Sequence, residues 1–193
     1  MPGYGWSIPA SYCKTGSKLA EVKGTPCFSC YAKKGRYAFP NVHSAMMQRY
    51  AAWVQDEDWI ELMAMRLLII DNPYFRWFDS GDLQDTMMLV DISRVAESTP
   101  AIRHWLPTQE RKIVEKTFST FQITCPSNLI IRISSPKVGL EAKSKIRGVL
   151  SSSVGETESK TNWNCPSRKQ GNKCLTCRAC WNKSVEHVVY SKH

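Results

Sequence analysis

The chain has 193 residues, of which 42% are hydrophobic and 22% charged; this suits one globular domain and excludes a disordered or fibrous chain. Its longest apolar run, Leu67-Leu68-Ile69-Ile70, falls far short of the roughly 18 residues that a membrane-crossing helix needs. The net charge is +9, and the whole excess lies near the two ends: residues 14–36 hold six Lys/Arg against one Glu, residues 160–193 seven against one, and the rest thirteen against fifteen acidic residues.

Residues 1–36 are rich in Gly, Pro, Ser and Lys and read as ordered loop. Pro40-Asn41 opens a predicted helix to about Trp53. Asp56-Glu57-Asp58 then begins a second one to Ile70, with Trp59, Leu62, Met63, Leu67 and Ile70 on one face. Asn72-Pro73 ends it. An alternation follows: strand Tyr74 to Phe78, turn Asp79-Ser80-Gly81-Asp82, then a helix Leu83 to Ala96 with Leu83, Met87, Val90, Ile92 and Val95 inward. Strand Ala101 to Leu106 leads to Thr108, which caps a helix from Gln109 to Ser119. Leu129 to Ile133 is a buried-strand candidate, Val138 to Arg147 a weaker helix and Val149 to Ser152 a further strand. Gly155 to Asn164 reads as polar loop and Val185 to Tyr190 as the last strand. Short apolar strands alternating with helices predict a single α/β domain over residues 1–193. Its parallel sheet would form an open or partial (β/α) barrel, since the units are too few for a closed one. Segments 1–36 and 160–193 bring cysteine-rich loops to it from both ends of the chain.

Several strands end in small polar residues: Asp79-Ser80-Gly81-Asp82, Pro107-Thr108-Gln109, Ser134-Ser135-Pro136 and Ser151-Ser152-Ser153. Parallel strands put such ends on one rim, where sites are built. Helix caps use the same residue types. Asp79, Ser80 and Asp82 form the candidate substrate rim, where a carboxylate could bind an amine or accept a proton. No catalytic residue is assigned.

The eight cysteines carry the main chemical signal. Cys174-Leu-Thr-Cys177-Arg-Ala-Cys180 has the two-residue spacing with which one loop delivers successive sulfurs to different irons of a 4Fe-4S cube. Cys165-Pro166 supplies a fourth, with Gly171-Asn172 as the intervening turn. Cys13 with Cys27-Phe-Ser-Cys30 makes a second group of three. Three ligands would leave one iron open. Lys14, Lys18, Lys23, Lys33, Lys34 and Arg36 are expected to lower these thiol pKa values. Seven cysteines allow one cluster or two. Zinc is the rival metal, through two Cys-x-x-Cys knuckles. Cys125 reads as a partly buried free thiol, and His43, His104 and His187 as surface or core residues. His193 is terminal and expected to be mobile.

Ile8-Pro9-Ala10-Ser11-Tyr12-Cys13, Pro26-Cys27-Phe28-Ser29-Cys30-Tyr31-Ala32-Lys33-Lys34-Gly35, Trp77-Phe78-Asp79-Ser80-Gly81-Asp82, Trp105-Leu106-Pro107-Thr108-Gln109 and the final cysteine run together resemble the phage-encoded gene-product-88 family. The resemblance implies a viral protein acting in the cytoplasm of a bacterial host, a reducing compartment. It implies no activity. The partial barrel with three N-terminal cysteines is also similar to radical S-adenosylmethionine enzymes. It departs from them in the thirteen residues between Cys13 and Cys27 and in lacking a clear Gly-rich methionine-binding segment.

Two functions compete. One is an iron–sulfur protein with a redox or radical-type enzymatic role on a small molecule or redox partner, S-adenosylmethionine being a candidate cosubstrate. The other is a nucleic-acid-binding protein whose metal site, zinc or iron–sulfur, is purely structural. The basic segments and Trp163, Trp181 and Tyr190 would then contact phosphates and stack bases.

Overall fold

The computed structural model describes residues 1–121, 124–141 and 143–192; His193 lies outside the described residues. The elements are β1 (Tyr4–Trp6), α1 (Lys14–Leu19), α2 (Pro40–Gln55), α3 (Trp59–Ile70), β2 (Tyr74–Trp77), α4 (Thr86–Ser98), β3 (Arg103–Thr108), α5 (Arg111–Phe121), β4 (Leu129–Ser134), β5 (Leu150–Gly155), β6 (Trp163–Asn164) and β7 (His187–Ser191). The strands form one seven-stranded sheet in the order β1-β2-β3-β4-β5-β7-β6, and every pairing is parallel. The expected α/β class and parallel sheet are borne out. The order advances by one strand at each step from β1 to β5, as right-handed crossovers on one side of a barrel-like sheet require. β1 and β6 are its open edges.

Strand residues alternate between the two faces. Trp6, Phe75, Trp77, Leu106, Leu129, Ile131 and Ile133 point to one face. There they pack with Trp59 and Leu67 of α3, Met88, Leu89, Ile92 and Val95 of α4, and Val114 of α5. The other face carries Tyr74 and Arg76 of β2, Trp105 of β3, Arg132 of β4 and Tyr190 of β7. Helices do not cover it. The C-terminal segment lies there, and Trp181 packs edge-on to Tyr74 and Trp105 at 5.6 and 5.1 Å and donates from Nε1 to the Phe75 carbonyl at 2.8 Å.

Arg132 anchors this segment. Its side chain is wholly buried. Nη2 donates to the carbonyls of Ala179, Asn182 and Val185 at 3.0, 3.0 and 2.8 Å, Nε to that of Cys180 at 3.2 Å, and Nη1 to that of Ser151 at 3.2 Å. A guanidinium can satisfy many carbonyls from one planar fork.

Five local expectations change. Residues 4–6 are a strand rather than loop, too short for an alternation to show. Residues 14–19, also read as loop, are the short helix α1. The described part of residues 138–147 is turn and loop, not helix, with Gly139 at φ 79°. Trp163–Asn164, expected in loop, is an edge strand on β7. Met87 of α4 and Leu62 of α3 are 45% and 50% exposed, because α4 turns Met88 and Leu89 inward and α3 turns Trp59, Ala64 and Leu67 inward instead. No helix is long and apolar enough to cross a membrane among the described residues.

Candidate functional site

Because all strands are parallel, their C-terminal ends share one rim, and both cysteine-bearing segments meet it. At the end of β2, Phe78 takes a left-handed φ of 54° and its N–H donates to the Trp6 carbonyl at 2.7 Å. Gly81 follows at φ 80°, where a Cβ would stand 2.3 Å from Ile8 Cγ1, so only glycine fits. This turn drives Asp82 inward. Asp82 Oδ1 accepts from Leu83 N at 2.8 Å and Thr108 Oγ1 at 2.6 Å, and Oδ2 from Gln109 N at 2.9 Å. Burial pushes its carboxyl up to about 7; these three hydrogen bonds oppose that rise and Glu110 adds to it. Asp82 therefore ties β2 to β3.

The next ties reach the N-terminal cysteines. Glu110 is buried and accepts from both Thr15 N at 2.6 Å and Thr15 Oγ1 at 2.7 Å. Gln84 Nε2 donates to the Tyr12 carbonyl at 3.0 Å, and Lys14 Nζ to the Gln84 carbonyl at 2.6 Å. Residues 12–15 are thus clamped from both sides, with Cys13 between the clamps. Cys27 and Cys30 close a tight turn, Cys30 N donating to the Cys27 carbonyl at 3.2 Å. Gly16 of α1 lies against both sulfurs. A Cβ there would lie 3.6 Å from Cys27 Sγ, 3.7 Å from Cys13 Sγ and 3.0 Å from Cys13 Cβ.

The expected lowering of thiol pKa by nearby lysines does not hold. Burial pushes Cys13 up to about 12, and Asp82, Cys30, Cys27 and Glu110 all add to the rise. Burial pushes Cys27 up to about 11, with Cys30 and Asp82 adding and only Lys33 opposing. Lys18, Lys23, Lys33, Lys34 and Arg36 are exposed, so water screens them, whereas the thiols face one another in a partly closed space.

The second group sits across the rim. Cys165 follows β6, and its Sγ lies 3.3 Å from Ser167 Oγ. Gly171 and Asn172, both at φ 61°, supply the expected turn. Cys174 to Cys177 is a tight turn closed by Cys177 N on the Cys174 carbonyl at 2.8 Å, so the run is a loop and not a helix, as its spacing required. Arg178 donates to the carbonyls of Leu175 and Cys177 and lies over the Tyr74 ring. Cys180 Sγ is 3.2 Å from Tyr190 Oη. Burial pushes Cys180 up to about 12; Tyr190, Arg132 and Arg76 pull it down and Cys165 pushes it up. Cys13 has Asp82, Cys30 and Cys27 as electrostatic neighbours, Cys27 has Cys30 and Asp82, and Cys180 has Cys165. Among the described residues, no three His, Cys, Asp or Glu side chains converge as ligands of a metal ion.

Arg76 stands between the two groups. Its guanidinium lies 4.7 Å from the centre of the Trp105 ring, and Nη2 reaches Tyr31 Oη and the Phe78 carbonyl, each at 3.4 Å. Asp79 Oδ2 accepts from Tyr37 Oη at 2.9 Å. Arg76, Trp105, Glu110 and Arg132 were not among the expected site residues. The one visible signal was a charged residue inside an apolar strand, as in Leu-Ile-Ile-Arg-Ile-Ser.

The remaining candidates are accounted for by packing. Cys125 Sγ lies 3.2 Å from the Leu129 carbonyl beside the core. His104 accepts from Trp77 Nε1 at 3.2 Å and meets Thr99 Oγ1 at 2.9 Å, and His187 sits between Ser151 and Ser153 at 2.7 and 2.8 Å. Trp181 is 2% exposed and Tyr190 is engaged with Cys180, so neither is open to stack a base as expected; Trp163 is exposed.

Geometry and topology together define an open, all-parallel α/β protein with a cysteine-bearing strand-end rim. The chain belongs to the gene product 88 family, whose model matches residues 1–187, and the phage origin expected from the sequence agrees with that membership. No curated protein and no solved structure matches it. The similarity to radical S-adenosylmethionine enzymes finds no support in these comparisons.

Proposed function

We propose that this is an iron–sulfur protein of the bacterial host's cytoplasm with a redox or radical-type role. Cys13, Cys27 and Cys30 would hold one 4Fe-4S cluster at the rim, and Cys165, Cys174, Cys177 and Cys180 a second. The observation that carries the reading is the close approach at Gly16, where an added Cβ would touch the sulfurs of both Cys27 and Cys13, at 3.6 and 3.7 Å. The donor chemistry fits: buried thiols that raise one another's pKa are relieved when a cation binds their thiolates. A cluster takes each sulfur on a separate iron, so its ligands need not converge on one point as a zinc site's do. When bound, such a cluster supplies one-electron chemistry, and with three protein ligands also an open iron. The chain's own residues do the rest. Glu110 and Gln84 fix the Cys13 segment against the strand ends; Asp79 and Ser80 are the proposed substrate rim, and Asp82, the third residue of that rim, spends its oxygens on Leu83, Thr108 and Gln109. S-adenosylmethionine remains a proposed cosubstrate only, tested by adding it to the reduced protein and reading cleavage.

Anaerobic purification followed by visible absorption and iron and sulfide analysis tests the main reading. A brown protein with labile sulfide is expected, losing part of its iron in Cys13→Ala and a different part in Cys177→Ala. Colourless protein with stoichiometric zinc and no sulfide would overturn it. A second reading, nucleic-acid binding beside a structural metal, rests on the exposed Lys18, Lys23, Lys33, Lys34 and Arg36 and on Trp163. Retention on single-stranded DNA or RNA that falls steeply with salt would favour it.

A further inference from the structure

Five buried side-chain polar atoms lack a partner among the described residues, and four of them belong to one neighbourhood: Arg76 Nε, Asp79 Oδ1, Ser80 Oγ and Trp105 Nε1. Buried donors and acceptors are normally paired, because leaving one unpaired costs about 1–3 kcal/mol. Such a concentration marks a place completed by something outside the chain. These residues are contiguous at the end of β2. Arg76 stacks on Trp105, Asp79 and Ser80 follow Arg76 within one turn, and Arg76 and Asp79 attract each other without forming an ion pair. Gly5 of β1 pairs with Arg76, and a Cβ added to it would lie 3.2 Å from the Arg76 carbonyl oxygen, 3.5 Å from Met1 Cε and 3.8 Å from Asp79 Oδ1, so the backbone of β1 passes close to the carboxylate.

We infer that these four groups bind a small zwitterionic molecule of the α-amino-acid class, its carboxylate on Arg76 and Trp105 and its ammonium on Asp79 and Ser80. The chemistry follows from the donors and acceptors. Arg76 Nε and Trp105 Nε1 can only donate, so they require an acceptor, and an anion suits the guanidinium best. Asp79 Oδ1 can only accept, so it requires a donor, and a cation suits it best. Ser80 Oγ serves either. An ion carrying one charge would satisfy one side and leave the other unpaired, and a direct Arg76–Asp79 ion pair is absent. A molecule with both charges a few bonds apart satisfies both. The site deepens the reading of Asp79 and Ser80 as a substrate rim, and it stands on β2 and β3 side chains without requiring a cluster.

The test is titration calorimetry and thermal unfolding of the full chain, as purified without oxygen, with the common L-α-amino acids at millimolar concentration. Acetate and methylammonium serve as single-charge controls. At least one amino acid is expected to bind ten times more tightly than either control. Asp79→Asn and Arg76→Gln should each weaken it tenfold or more, while iron and sulfide content stay at the wild-type level. Asp79→Asn keeps the acceptor for Tyr37, so it isolates the charge. Should Arg76→Gln fail to fold, Asp79→Asn and the ligand comparison decide. No amino acid binding better than both controls, or tight binding undiminished in Asp79→Asn, would overturn the inference, leaving ordered water as the partner of these atoms. Loss of the cluster reading would not affect this result, nor this result the cluster.

Discussion

Two single residues offer sharp tests. Alanine is a better helix former than glycine by about 1 kcal/mol, a gain that opposes the crowding of the new methyl group against Cys13 Cβ at 3.0 Å, so Gly16→Ala should leave the apoprotein's unfolding free energy within about 1 kcal/mol of the wild type's. Its methyl group would enter the space beside Cys13 and Cys27. Iron bound by the N-terminal group should therefore fall by more than half in metal analysis while fold stability does not. His104 sets a pH limit instead. It is fully buried, and burial pushes its pKa down from 6.5 to about 4. The unfolded chain takes up a proton below 6.5 and the folded one does not, so stability is complete above that pH and declines as pH falls toward 4. The loss should approach about 3 kcal/mol. In His104→Gln this limb of the curve should flatten, checked by chemical denaturation from pH 7 to 4. Neither residue was legible as important in the sequence. A lone glycine among lysines looks like loop, and a histidine before Trp105 looks like any strand residue, because both roles depend on partners far along the chain.

At the scale of elements, two side chains hold the cysteine segments to the sheet. Glu110 receives two hydrogen bonds from Thr15 in a buried setting. Charge-assisted bonds of this kind contribute about 1.5–3 kcal/mol. Glu110→Ala should lower stability by about 2 kcal/mol and speed proteolytic cleavage within residues 14–36, read by mass spectrometry. Arg132→Met removes the partner of five or more carbonyls and should cost about 3 kcal/mol or more, with Trp181 fluorescence shifting to the red as the C-terminal segment loosens. Most elements were legible: helices α2 and α3, strands β2, β3, β4 and β7 and the turn at Asp79–Asp82 follow from periodicity, caps and turn chemistry. The two shortest strands were not, since β1 and β6 have three and two residues, too few to display a period. The helix expected over 138–147 rested on propensity alone, which the left-handed Gly139 and Gly148 overrule.

At the scale of the molecule, the rim and the two cysteine groups were legible, and what lies between them was not. Cysteine spacing pointed to sulfurs from both ends of the chain, whereas Arg76, hydrogen-bonded to Tyr31 and close to Cys180, shows only in the three-dimensional path. That path also predicts a single cooperative unfolding transition followed by fluorescence and circular dichroism together, because the last segment fills one face of the sheet and cannot leave as a separate domain. The position of β7 has a consequence for synthesis. It lies between β5 and β6, and β6 has no other partner in the sheet. A nascent chain that ends at Glu186 therefore has a sheet that stops at β5, with β6 stranded, although Arg132 already has its carbonyl partners at Ala179, Cys180, Asn182 and Val185. Insertion of the five residues of β7 then joins β6 to β5, so the sheet reaches its full width only when this late-made strand enters between two that were synthesised before it.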